Sequence, residues 1–572
     1  MSGFENVFAR LDQLVEERMR ISNVPGVAMA LTNREKPIRV TTYGYSDVGA
    51  KSPVTQETLF RIGSITKSFT CIVLLQLQEE GLLDLHQPVA HYLPWFNVKS
   101  DYGPITLHHL MSHTAGIIAG ADFTCESLYE IWALRQMEAA APPGRHYHYS
   151  SLGYRVLGVI LEDLLGSSHR DIIQGRILDP LGMSDTAPSV TQEIRRQLAV
   201  GYEASYDDRP MAPDRALVPA TWVEYTGADG CIASTPADMA AYVRMFLNLG
   251  KVANKTILST ESLNLMIKPV IEVVNEEEVY SYGYGLRIRQ IDDHIIVGHS
   301  GGMLGFYSHF CADIQEGLGT VVLMNGPEGH PDEIAMFALR LLRAGLHGEA
   351  LPSPPLIDPM ILEDAADYAG TYRRVLEHGS PEARSGGQRF KAKTLTLVAE
   401  GNRLFFLLGD DRIALEKRGP DRFCVCHPDF SCFPLSFGRE NGNVAEAFYG
   451  SGWFINDRYS GPTAFDYPQV WHAYIGHYRS HNPWLSNFWV IPRKGNLMLI
   501  QYPFNPSGQE LALVPIGEGV FLVGEDHRSP ERIRFDVILN GHALHANLSC
   551  GDYYRTPNYE AVHMNRLPHR PM

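Results

Sequence analysis

Apolar residues recur at helical spacing from the start of the chain. Phe4, Val7, Phe8, Leu11, Leu14, Val15 and Met19, with charges between them, predict an amphipathic helix over Met1 to Arg20. Strand-like runs follow at Val27 to Thr32 and Ile38 to Tyr45, then helical patterns, then strand-like runs again near Ile295 and Thr320. This mixture predicts an α/β or α+β body. The segment Leu351-Pro-Ser-Pro-Pro-Leu-Ile-Asp-Pro359 has four prolines in nine positions. Each removes a backbone donor and fixes φ, so neither helix nor sheet should cross it. A domain boundary is expected there, giving a first domain over residues 1–350.

Beyond the prolines the pattern changes to short strand-like segments punctuated by Asn-Gly and Gly-Asp, and it repeats. Tyr368-Ala-Gly-Thr-Tyr372 returns as Tyr474-Ile-Gly-His-Tyr478, 474 − 368 = 106 residues later. Leu415 to Phe423 across Gly419 resembles Leu513 to Phe521 across Gly519, and Asn441-Gly442 resembles Asn540-Gly541. Two copies of one small fold, over residues 351–465 and 466–572, are the consequence. Closed antiparallel barrels are expected, because closure leaves no sheet edge exposed.

At 572 residues the chain exceeds what one core organises, in keeping with several domains. A formal charge of −16 excludes nucleic acid and anionic membrane as ready partners, since both need a basic patch. The N-terminal stretch lacks the features of a secretory leader, no run reaches the length of a membrane span, and a cytoplasmic location is expected. The eight cysteines (Cys71, Cys125, Cys231, Cys311, Cys424, Cys426, Cys432 and Cys550) are too sparse for a disulfide framework. Cys424, Cys426, His427 and Cys432 raise the question of zinc, but Cys424-Val425-Cys426 alternates as a strand does and the usual two-residue ligand gap is missing.

The chemistry is carried by Arg61-Ile-Gly-Ser64-Ile-Thr-Lys67, followed by Cys71, Ile72, Leu74, Leu75 and Leu77. A helix starting at the serine is predicted. Residues three apart share a helix face, so Lys67 falls beside the Ser64 hydroxyl. Desolvation favours the neutral form of an enclosed amine, which can then take a hydroxyl proton, and the helix N-terminus favours a developing oxyanion. Ser-x-x-Lys alone is common; its company decides.

That company is Pro143-Gly144-Arg-His-Tyr-His-Tyr149-Ser150-Ser151-Leu-Gly-Tyr154 and Gly298-His299-Ser300-Gly301-Gly302, in that order, with His109-Leu-Met-Ser-His-Thr-Ala-Gly116 and Tyr282-Gly-Tyr-Gly285 between and around them. Over residues 5 to about 345 the chain resembles the class C β-lactamase and penicillin-binding-protein family of serine hydrolases. The resemblance implies an antiparallel sheet flanked by helices, with Ser64 as nucleophile and Lys67 and Tyr149 sharing the proton work. Backbone N–H groups of Ser64 and Gly302 would form the oxyanion hole, Gly301 and Gly302 would admit substrate close to the chain, and no metal or cofactor is required. Two departures bear on substrate. Ser151 stands where the family usually has asparagine, and His299 stands where many members have lysine, so a substrate carboxylate should be recognised poorly. His113, His146 and His148 receive no role.

A His-x-Gly catalytic domain followed by two barrel repeats is similar to the D-aminopeptidases of the family, whose barrels resemble lipocalins and whose last barrel sends a loop to the active site. The corresponding segment is Gly524-Glu525-Asp526-His-Arg-Ser-Pro530. The resemblance implies release of an N-terminal D-amino acid from a small amide or short peptide, with a homodimer left open. Three other readings stand: a broad esterase or amidase, a β-lactamase or DD-peptidase, and barrels that bind a greasy ligand beside an inert domain.

Overall fold

The computed structural model describes residues 4–120, 127–210, 216–252, 254–274, 278–327, 329–356, 358–375, 393–502 and 510–556. Met1, Cys125 and Ile357 lie outside the described residues. The chain divides into two compact units, residues 1–205, 216–357 and 528–530 in one, and 206–215, 358–527 and 531–572 in the other.

The first unit is built on a nine-stranded antiparallel sheet. Its strands are β1 (Gly26–Asn33), β2 (Pro37–Asp47), β3 (Ser52–Pro53), β4 (Ile271–Val274), β5 (Val279–Tyr282), β6 (Arg287–Ile291), β7 (His294–Met303), β8 (Phe306–Asp313) and β9 (Leu318–Met324). They lie in the order β4-β5-β6-β7-β8-β9-β1-β2-β3, which brings the two ends of the domain together at the β9–β1 pair, Val27 opposite Met324. The predicted N-terminal helix is α1 (Glu5–Ser22), and it buries Val7, Leu11, Leu14 and Val15 as the periodicity requires. With Pro331–His347 it covers one sheet face, packing on Val27, Met29, Leu31, Val322 and Met324. Strand side chains alternate, so Ala28 and Ala30 turn to the opposite face, where the helix Pro236–Leu247 packs and Val243 meets Gly319. Small residues there let helix and sheet approach closely.

Helix α2 (Thr66–Glu79) is buried from Thr66 through Leu77 on every side, as expected of a helix at the centre of a domain. It does not begin at Ser64. Gly63–Ile65 forms a 3-10 turn, and the α-helix starts at Thr66. The tighter turn is enforced by Gly63, whose φ of 53° is left-handed and therefore suits a residue without a Cβ. Two further helices flank the site, α3 (Ser127–Ala133) and α4 (Ser151–Leu165), the latter capped by the Ser150 side chain accepting from the Gly153 N–H.

The second unit contains two closed eight-stranded antiparallel barrels, Gly370–Val375 to Gly452–Ile455 and Gly476–Arg479 to Gly551–Arg555. The tyrosine repeat does the same work in both. The Tyr372 hydroxyl donates to the Tyr368 carbonyl at 2.8 Å, and Tyr478 donates to Tyr474 at 2.8 Å. Asn441-Gly442 and Asn540-Gly541 each close a hairpin with both residues at positive φ. One detail of the repeat shifts. The partner of Gly419 at the strand bulge is Gly517, while Gly519 matches Asp421, both of them left-handed. The first barrel is filled by side chains such as Leu397, Leu404, Phe406, Phe423 and Phe437, and the second by Phe488, Val490, Leu499, Phe521 and Phe535. Among the described residues no helix is long and apolar enough to cross a membrane.

Candidate active site

Three segments far apart in sequence converge at Ser64. The Gly63–Ile65 turn places the half-buried Ser64 above fully buried Lys67, one turn on. Lys67 Nζ lies 3.1 Å from Ser64 Oγ, 3.2 Å from Ser151 Oγ and 2.8 Å from the Asp229 backbone oxygen. Three polar partners account for the ammonium when protonated. When neutral, the same amine donates to Ser151 and the Asp229 carbonyl and offers its lone pair to the Ser64 hydroxyl. The rings of Tyr149 and Tyr154 stand 5.0 and 5.5 Å from Nζ, so the remaining wall is aromatic.

Strand β7 approaches from the other side. A Cβ on Gly63 would fall 2.8 Å from the Gly302 nitrogen, which measures how closely the Ser64 turn and this strand are packed. The two glycines of the strand differ. A Cβ on Gly301 would lie 1.9 Å from the Ile62 oxygen, so packing forbids one, whereas a Cβ on Gly302 would meet nothing within 4 Å. The space in front of Gly302 is open. The Ser308 hydroxyl, opposite Gly301 in β8, donates to the Ile62 carbonyl at 2.9 Å and fixes the approach.

His299 is buried, and both its ring nitrogens are engaged. Nδ1 donates to the Ser300 carbonyl at 2.6 Å, which leaves Nε2 to accept from the Tyr282 hydroxyl at 3.0 Å. Burial first, then the cations Arg287 and Lys67, hold His299 well below the ordinary imidazole range. A neutral, doubly engaged imidazole shapes the wall of the site and offers no charge to a carboxylate. His113, without a role in the motif pattern, proves structural to the site. Its Nδ1 accepts from the Ser150 N–H at 3.0 Å and its ring packs 4.2 Å from that of Tyr149. A left-handed φ of 57° turns it into this position.

The segment Gly524 to Pro530 joins Val520–Val523 to Arg532–Leu539, with Glu525 and Asp526 exposed. Cys424 is buried in a strand and Cys426 exposed beyond its end, while His427 Nδ1 accepts from the Asp429 N–H at 3.2 Å. Among the described residues no group of three or more metal-ligating side chains converges.

A family model described as Beta-lactamase matches residues 11–345, more than half of the chain. The chain belongs to the beta-lactamase family. This is a family of serine hydrolases, and the Ser64 turn, α2, Tyr149 and β7 all lie within its matched region. Beta-lactamase-family relatives include penicillin-binding protein 4 of Amycolatopsis lactamdurans, 29% identical over 375 residues, 63% of this chain and 95% of the relative. Protein flp of Staphylococcus aureus is 25% identical over 327 residues, 55% of this chain and 62% of flp. The octameric penicillin-binding protein homologue from Pyrococcus abyssi shares the fold, with a TM-score of 0.55 at 24% identity over 78% of this chain and 100% of that one.

Two contacts were not foreseeable from the motifs. Asp229 contributes a backbone oxygen, which any residue could supply, and the Tyr282-Gly-Tyr-Gly285 stretch does not reveal that the Tyr282 hydroxyl meets His299. Only the Gly-Ala-Asp-Gly-Cys run around Asp229 marks the place.

Proposed function

We propose that this member of the family hydrolyses small amides or short peptides through a Ser64 acyl-enzyme and releases an N-terminal D-amino acid. The observation that carries the nucleophile assignment is the 3.1 Å approach of Lys67 Nζ to Ser64 Oγ on a buried lysine. Lys67 accepts the Ser64 proton as Oγ attacks the carbonyl carbon. The oxyanion gathers in front of Gly302, where the N–H groups of Ser64 and Gly302 receive it; each such donor is worth roughly 3 kcal/mol in the transition state. Tyr149, beside the lysine, passes the proton to the departing amine, and water then releases the acyl group by the reverse relay.

The substrate class rests on two features. Neutral His299 in place of a cation disfavours carboxylate recognition, and the His-x-Gly domain with two appended barrels matches the D-aminopeptidase pattern. A β-lactamase or DD-peptidase is the second reading, favoured by the alignment with 95% of penicillin-binding protein 4. Release of p-nitroaniline from D-alanine and L-alanine p-nitroanilides, with Ser64→Ala protein as blank, separates them. Ser64-dependent turnover of the D form alone is expected. Silence on both anilides together with hydrolysis of a penicillin would replace the first reading by the second.

A further inference from the structure

The Lys67 amine is placed by its partners, and the shortest of its contacts is to a loop carbonyl, Asp229 O, at 2.8 Å. The side chain of that same residue is buried in an ionic cluster that the hydrolytic reading does not use. Its carboxylate accepts the Tyr225 hydroxyl at 2.8 and 3.0 Å and lies 3.4 Å from Arg155 Nε. Arg155 in turn donates to the Tyr225 oxygen at 2.6 Å and pairs with Glu130 at 2.7 Å. Arg155, Glu130 and Asp229 are 5%, 3% and 7% exposed.

Burying one cation between two carboxylates is expensive, and replacing such a cluster by apolar side chains is often neutral or stabilising; its attested use is to fix register. Here the register is that of the proton acceptor. Arg155 sits in α4 four residues after Ser151, the second partner of Lys67, and Glu130 comes from α3. One guanidinium therefore ties together the helix that carries Ser151 Oγ and the loop that carries Asp229 O. The loop is seated on α4 at Gly158, where a Cβ would fall 2.5 Å from that of Ala228, and Thr70 of α2 donates to the Ala228 carbonyl at 2.8 Å.

We propose that Arg155, acting with Tyr225 and the Asp229 carboxylate, is the positioning residue that holds the Asp229 carbonyl and Ser151 hydroxyl on Lys67. This rests on Ser64 and Lys67 working as the nucleophile and its base. Loss of Arg155 loosens both contacts and leaves the Glu130 and Asp229 carboxylates uncompensated. The other titratable groups around the lysine are Tyr149, Tyr154, Cys71, His113 and His299, and none of them balances those two charges.

The test is the pre-steady-state burst of p-nitrophenolate from p-nitrophenyl acetate, followed from pH 5.5 to 9.5 in full-length protein. In this step the Ser64 Oγ–acyl bond forms, the acyl–phenolate bond breaks, and the serine proton goes to Lys67. Arg155→Met is expected to lower the burst rate constant on the order of 10- to 100-fold and move the half-maximal pH upward, with KM changed less than about threefold. Tyr225→Phe, which keeps every charge, should lower the rate about 3- to 10-fold, and Arg155→Lys should return the half-maximal pH toward wild type. In a Lys67→Ala background, Tyr225→Phe should have less than a twofold effect, since the base it acts through is gone. Thermal melts establish that each variant is folded; if Arg155→Met is not, Tyr225→Phe in the two backgrounds decides. Folded variants with the wild-type rate and half-maximal pH, while Ser64→Ala lacks the burst, overturn the positioning role alone. A burst that survives Ser64→Ala, or wild-type protein that releases p-nitrophenolate neither in a burst nor in the steady state, overturns the hydrolytic reading and this role together.

Discussion

Acid should unfold the catalytic domain well before its carboxylates titrate, because four histidines are buried in neutral form. His113, His169, His299 and His309 are at most 2% exposed. Burial holds His169 down to about 4 and His309 to about 3, and pushes His113 and His299 well below the ordinary value. An unfolded chain titrates its histidines near 6.5. The folded values are depressed, so the unfolded state binds more protons below pH 6.5, and stability present at pH 7.5 is lost as the pH falls through the unfolded value. At pH 5 each group contributes about 1.4 kcal/mol per unit over roughly 1.5 units, or about 2 kcal/mol. The four together set a ceiling of about 8 kcal/mol, comparable to the whole stability of a domain. Hydrogen exchange read by mass spectrometry on peptides of β7 and β8, corrected for intrinsic exchange, measures the opening free energy of this sheet between pH 7.5 and 5.0. A fall of several kcal/mol is expected. His169→Gln, whose side chain does not titrate, should reduce that fall by about 2 kcal/mol whatever it does to stability at pH 7.5. An opening free energy that does not change with pH, or a His169→Gln variant with the wild-type slope, would refute the reasoning.

Gly301→Ala should cost about 3 kcal/mol or more, visible as a lowered Tm, because its methyl would meet the Ile62 backbone oxygen at 1.9 Å. Gly302→Ala meets nothing within 4 Å, so the fold should tolerate it while anilide turnover falls by an order of magnitude or more through obstruction of the proposed oxyanion position. Ser151→Asn should change the ratio of anilide to ester turnover by more than about tenfold and the ester burst by less than about threefold, because it introduces an amide at the proposed substrate-binding position and keeps a partner for Lys67. Tyr372→Phe and Tyr478→Phe should each destabilise their own barrel by a similar 1–2 kcal/mol, roughly one buried hydrogen bond, measured as local hydrogen exchange.

What could be read in the sequence was what depends on neighbours along the chain. Ser64 and Lys67 lie three apart, the amphipathic face of α1 repeats every turn, and the paired Tyr-x-Gly-x-Tyr segments mark two copies of a barrel. Where contacts join distant backbone, the sequence is silent. The Asp229 carbonyl that holds Lys67 is 162 residues away, and the Ile62 carbonyl that forbids a Cβ on Gly301 meets Ser308 at a separation of 246. Any residue carries a carbonyl, so no side chain announces these places. The helix start shows a local limit of the same kind. Helical spacing predicts one continuous helix from Ser64, yet a glycine held at positive φ by the close strand β7 converts its first turn to 3-10. His299 was legible as a neutral residue, but its orientation is set by Tyr282, which helical or strand periodicity cannot place against it. The repeat was legible to within two residues, since Gly519 and Gly517 are both turn-compatible and only strand register separates them.

Acylation of Ser64 with Lys67 as its base can be followed by intact-protein mass spectrometry with a fluorophosphonate. The serine oxygen would displace fluoride at phosphorus, leaving one stable adduct per chain. A single adduct mapped to the peptide containing Ser64 is predicted, absent in Ser64→Ala and slowed at least 100-fold in Lys67→Ala. Labelling at another residue, or Ser64→Ala protein that still acquires the adduct and turns over substrate, would contradict it.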